Sequence, residues 1–204
     1  MSNYLSQEFA NNLLVFIVYL IVVSLVFNKA LQTLDKLVTV QIDSDYLNEQ
    51  LTEHKLNDLI TIKFPLAPSY KLEELKTLPI IIENKSQESN IDIDWKESYI
   101  SDFDKPTRRL MRVIAGTTNV SQDGIKMLPG EAIKEQLSNE NVAAPLFDPG
   151  KLKKAAQKGD RFSIRFILKV SEPGSSGRSC LFRCQFIAKK LPWQKALNLA
   201  LEPK

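Results

Sequence analysis

Apolar positions follow two different rhythms along this chain. Residues 13–27, LLVFIVYLIVVSLVF, are apolar on every side of a helix, with Ser24 the one interruption. A half-buried helix shows polar residues at helical spacing, so a run without them suits lipid better than a packing site. About 20 apolar residues cross a bilayer, and the flanks supply the missing length. A helix from Phe9 to Leu31 spans if Asn11, Asn12 and Lys29 lie at the interfaces. The opening MSNYLSQEFANN has no Lys or Arg, and a cut after Ala30 would leave Asn28 three residues before it, so cleavage as a signal peptide is not expected. Residues 1–36 therefore read as a tail and an uncleaved membrane anchor.

Beyond the anchor the rhythm changes to period two. RFSIRFILKV places Phe162, Ile164, Phe166, Leu168 and Val170 on one face against Arg161, Ser163, Arg165 and Lys169 on the other, the pattern of a half-buried strand. The turn-rich SEPGSSGRS follows, and Cys180, Phe182, Cys184, Phe186 and Ala188 resume the alternation, so residues 161–189 predict a long antiparallel hairpin. LPIIIENKS and IDIDW predict a strand-turn-strand unit. LVTVQI (37–42), LITIKF (59–64), RRLMRVI (108–114) and GIKML (124–128) are further strand candidates. Helices are expected over Tyr46–Leu56, GEAIKEQL (130–137), PGKLKKAAQ (149–157) and the tail from Trp193. Six to eight strands with polar connections favour a sandwich over a parallel α/β sheet. No internal repeat or long linker divides residues 37–204, which are enough for one β-rich domain.

Charge adds direction. Lys29 and Lys36 follow the apolar run and only Glu8 carries a side-chain charge before it, so the positive-inside rule places the domain in the cytoplasm. Cys180 and Cys184 are the two cysteines; four positions apart on a strand they stand about 13 Å from each other, whereas a disulfide needs Cα atoms within about 7 Å. Reduced core thiols fit the same side. Residues 41–104 hold 6 basic and 14 acidic residues and residues 105–204 hold 19 and 8, an asymmetry that two halves interleaved in a sandwich neutralise. The densest basic run, KLKKAAQKGDR, carries Lys151, Lys153, Lys154, Lys158 and Arg161. It is a candidate contact for an anionic surface such as charged lipid, against the plainer reading of a solvated face. Without a binding module or stacking aromatics along a basic face, nucleic acid is not an expected partner.

Catalytic chemistry is sparse. His54 is the single histidine and has neither a cysteine nor a second histidine at ligand spacing, so no metal site and no cofactor is expected, and it reads as a surface residue. GSSGRS lacks the Gly-Lys-Ser/Thr ending of a phosphate loop. Asp92 and Asp94 point away from the apolar face, where aspartates are solvated. Asn84-Lys85-Ser86 and Asn119-Val120-Ser121 match the glycosylation pattern, which is inert in a cytoplasmic domain.

The succession PIIIENKSQESNIDIDWKESYISDFDKPTRRLMRVI, KMLPGEAIKEQL, APLFDPGKL and CLFRCQFIAKKLPWQKAL, with KKLPW (189–193) its most distinctive piece, resembles a family of small single-pass membrane proteins of cyanobacteria. The resemblance implies an immunoglobulin-like sandwich behind the anchor and a location at a thylakoid or plasma membrane, and it brings no catalytic residue to transfer. Two functions follow as expectations. One is a membrane-tethered, non-catalytic module that binds a partner protein or helps a membrane complex assemble. The other is a membrane-anchored enzyme whose site, drawn from His54, the acidic pairs or Cys184, forms only in three dimensions.

Overall fold

The apolar run folds as expected into a helix, α1 (Ser2–Leu34). In the computed structural model the described residues are 2–34, 36–104, 106–117, 119–171, 174, 177–192 and 194–195, with side chains described over 12–29 and from residue 36 onward. Asn12–Lys29 forms a window long and apolar enough to cross a membrane, and none of it is buried. The chain divides into two units, Met1–Leu37 with Leu191–Lys204, and Val38–Lys190. Of the helix expected from Trp193, residues 194 and 195 are described and are helical; the rest lies outside the described residues.

The elements that follow are β1 (Leu37–Ile42), α2 (Ser44–Glu53), β2 (Ile60–Lys63), β3 (Tyr70–Lys71), β4 (Leu78–Asn84), β5 (Asn90–Ser101), β6 (Thr107–Arg109), β7 (Met111–Val113), β8 (Val120–Ser121), β9 (Ile125–Met127), β10 (Ala132–Ser138), α3 (Pro149–Lys158), β11 (Arg161–Ser171) and β12 (Arg178–Lys190). The fold is mainly β. One sheet has the order β3-β1-β12-β11-β5-β6 with β9 also paired to β5, and the other runs β2-β4-β10-β7-β8. The pairings whose register is described are antiparallel. Both sheets feed one apolar cluster: Ile80, Ile82 and Leu137 from the five-stranded sheet, and Trp95, Phe166 and Phe182 from the other. Trp95 and Phe166 are fully buried with ring centroids 5.8 Å apart.

The 161–189 hairpin forms as the alternation predicts, with Phe166 opposite Phe182 and Leu168 opposite Cys180. The strand-turn-strand unit forms as well, and two other expectations are corrected. LPIIIENKS and IDIDW are both strands, but β4 and β5 lie in different sheets and do not pair. A buried polar corner turns the chain between them: the Asn84 amide donates to the carbonyls of Ser89 (2.8 Å) and Leu128 (3.0 Å), and its oxygen accepts from the backbone N–H of Ser86 (3.1 Å). RRLMRVI splits into β6 and β7, one in each sheet, at Leu110, which is fully buried and donates its N–H to the Ser98 carbonyl at 3.0 Å. GEAIKEQL is a strand, β10, rather than a helix. Ile133 and Leu137 imitate a helical i, i+4 pair, yet the ladder to β4, with Ile133 opposite Ile82 and Leu137 opposite Leu78, outweighs local propensity.

Candidate functional site

The five basic residues of 151–161 do not form one patch. Asp148 caps α3 by accepting the Lys151 N–H at 2.9 Å, and Gly159 closes it in the left-handed region with φ 73°. Leu152, Ala155 and Ala156 form the buried side. Lys151, Lys154 and Lys158, spaced three and four apart, share another side. The Lys151 ammonium stands 2.9 Å from Asp104. This hydrogen bond, then the Lys151 charge, and then the charges of Lys158 and Lys154, hold Asp104 below the usual carboxylate range, while Asp104 raises Lys151. Lys153 is half-buried. Arg161 belongs to β11, where it pairs with Asp43 at 3.3 Å and donates to Gln185 Oε1 at 3.2 Å. What remains outward on the helix is Lys154 and Lys158, beside an already neutralised Lys151.

A second basic feature is assembled only by strand pairing. On the outward face of the seven-stranded sheet, Arg109 of β6 lies opposite Tyr99 of β5, Tyr99 opposite Arg165 of β11, and Arg165 opposite Arg183 of β12. Four neighbouring strands thus align three guanidinium groups and one phenol in a row about 14 Å long at the usual strand spacing. The Gln50 side chain of α2 takes both backbone groups of Arg183, accepting its N–H and donating to its carbonyl. Arg183 therefore turns its backbone away from β11, and Arg165–Arg183 is a non-hydrogen-bonded pair, the closer of the two antiparallel spacings. Like charges set directly opposite are unfavourable. Arg109, Arg165 and Arg183 have no ion pair among the described residues. Arg183 Nε donates to Ser163 Oγ at 3.3 Å, and Ser163 is only 4% exposed on this solvent-facing side. Arg165 is half-buried and its Nε is enclosed without a partner. Period-two alternation already put Arg165 on the polar face of its strand, but β5 to β12 register is invisible along the chain, so sequence density drew attention to 151–161 instead.

The remaining candidates do not converge. His54 is half-buried rather than at the surface, its ring centroid 5.4 Å from that of Phe182. Among the described residues no group of three or more His, Cys, Asp or Glu could hold a metal ion. Both cysteines are free and buried. Burial pushes the Cys184 thiol far above its ordinary range and raises Cys180, where Arg178 partly opposes the shift; neither is an activated thiolate. Asp94 is 3.3 Å from Lys169, and it shares a shallow groove of about 290 Å³ with Asp92, Lys96 and Lys126. Asn84, the first glycosylation candidate, is fully buried with its amide committed on both sides.

No family model and no curated protein matches the chain. Among solved structures it is similar to a protein from Archaeoglobus fulgidus, with 11% identity and a TM-score of 0.27 over 65% of this chain and 97% of that one.

Proposed function

We propose that this chain is a membrane-tethered, non-catalytic binding module that holds a partner protein or helps a membrane complex assemble. The observation that carries the tether is α1, whose residues from Leu13 to Phe27 expose apolar side chains on every side. Water does not tolerate so large a continuous apolar surface, and hydrocarbon covers it without cost. Lys29 and Lys36 at its end support a cytoplasmic domain, and the free cysteines agree with a reducing side. Two antiparallel sheets that share one core support a sandwich, and the immunoglobulin-like version and the kinship with the cyanobacterial family belong to this proposal. A solvent-facing sheet surface with three arginines that have no ion pair among the described residues supports binding as the task of the β domain.

Carbonate-washed membranes should retain the full chain, and removing residues 1–36 should release the remainder into solution. A full-length chain extracted by carbonate overturns the tether. Purified in mild detergent, the chain should emerge in a stoichiometric complex; a bare monomer from membranes of its own source overturns the assembly role.

A further inference from the structure

We propose that the row formed by Arg109, Tyr99, Arg165 and Arg183 is the docking surface of the β domain and that its occupant is an acidic segment of a partner protein, with carboxylates received by the guanidinium groups. The inference rests on the binding-module reading and adds where the partner sits and what it presents. Its basis is register: three cationic side chains from strands far apart in sequence stand side by side on one sheet face. Register sets Arg165 and Arg183 directly opposite each other as a like-charge pair, which works against folding, and an arriving carboxylate converts it into an attractive cluster. All three cations of the row are arginine. A guanidinium offers a planar fork that takes a carboxylate through two parallel hydrogen bonds, which an ammonium does not.

Depth selects the kind of anion. Arg165 is half-buried between Tyr99 and Arg183, so its charge lies low on the sheet. A flat layer of lipid headgroups meets protruding cations first, as Lys154 and Lys158 of α3 do. A glutamate or aspartate side chain descending from a polypeptide reaches the sunken guanidinium. Ile167 and Ile187, half-buried on the same face, give that polypeptide apolar contact beside the charges. Asp94 stands opposite Ile167 and is paired with Lys169 at 3.3 Å, so the charge on that side of the row is already offset and the arginines are the cations left for the segment.

The test uses the full chain in nanodiscs of phosphatidylcholine, with a fluorescent oligoglutamate peptide as probe and oligoglutamine as its uncharged control. Fluorescence anisotropy should show saturable oligoglutamate binding that weakens as salt rises. The variant Arg165→Gln with Arg183→Gln should lose affinity by about tenfold or more, while Lys154→Gln with Lys158→Gln should bind as the wild type does. Arg165→Lys with Arg183→Lys keeps the charge and loses the fork, so it should fall between. An unchanged circular dichroism spectrum and melting transition in the glutamine variant exclude loss of fold as the cause. Equal affinity in the wild type and the glutamine variant overturns the proposal. So does arginine-dependent binding of phosphatidylglycerol vesicles without oligoglutamate binding, which assigns the row to lipid, or arginine-dependent pairing of two discs without it, which assigns the row to a second copy of the chain. If oligoglutamate fails while a membrane complex still co-purifies through mild detergent, this proposal falls and the binding-module reading stands.

Discussion

Asn84 offers a sharp test of how the two sheets are joined, because it sits where β4 leaves one sheet and β5 enters the other. It is fully buried. Its amide nitrogen serves the carbonyls of Ser89 and Leu128 and its oxygen serves the Ser86 N–H, with the Ser86 hydroxyl 2.6 Å from the same oxygen. In Asn84→Ala the Ser89 carbonyl keeps the Ser86 hydroxyl and the Leu128 carbonyl keeps the Glu131 N–H at 3.1 Å. The Ser86 N–H is orphaned. An orphaned buried donor costs about 2 kcal/mol, and each acceptor that retains one partner loses roughly 0.5 kcal/mol, so the expected loss is about 3 kcal/mol. Asn84→Asp should be worse at neutral pH, since it buries a charge and sets acceptors against two carbonyl oxygens. It should recover partly in mild acid, where a protonated carboxyl regains one donor. Urea unfolding of the fragment 37–204, expected to fold cooperatively without the anchor, measures all three proteins. A loss below about 1 kcal/mol for the alanine variant, or an aspartate variant as stable as the wild type at pH 7, refutes the corner as the element that holds the crossover.

Trp95→Ala and Phe166→Ala should each cost about 3 to 5 kcal/mol in the same assay, because each removes a fully buried ring from the shared core; a loss under about 1 kcal/mol would place that ring outside the core. Burial raises the Cys184 thiol above its ordinary value of 9.0, so above that pH the unfolded chain holds fewer protons than the folded one. The share of stability that this thiol contributes should be constant below that value and fall as pH rises beyond it, by about 1.4 kcal/mol per pH unit. Cys184→Ala should lack that share of the alkaline decline, and parallel stability curves above pH 9.0 would refute the assignment. In sealed right-side-out vesicles, protease added outside should spare the domain, and the mature mass should include residues 2–30; digestion from outside would reverse the orientation and leave the anchor standing.

Much of this protein was legible along the chain because the responsible forces are local. Fifteen residues from Leu13 without a charge leave a helix no polar face, and strict alternation over 161–170 and 180–188 commits each side chain to one side of a strand. The helix expected over 149–157 is equally local, and the structure bounds it with Asp148 at its start and Gly159 at its end. GEAIKEQL misleads for the same reason in reverse. Its propensity and the spacing of Ile133 and Leu137 describe an isolated helix, while the strand exists because β4 and β7 supply its hydrogen bonds from elsewhere in the chain. RRLMRVI shows the same limit, since the break at Leu110 is made by the Ser98 carbonyl and by burial between two sheets.

Charge followed the same division. Sequence counts found the basic run of 151–161, and the fold dispersed it, giving Lys151 to Asp104 and Arg161 to Asp43. The fold then built a row that no window of sequence contains, from Arg109, Arg165 and Arg183. By itself, then, the sequence determined the apolar helix, the inward face of the long hairpin and the buried state of its cysteines, because periodicity and burial act over a few neighbouring residues. Only the tertiary structure decided which strands share a sheet and which side chains stand abreast on its outward face, because register is set by the joint packing of residues far apart in the chain and moves every side chain of a strand together.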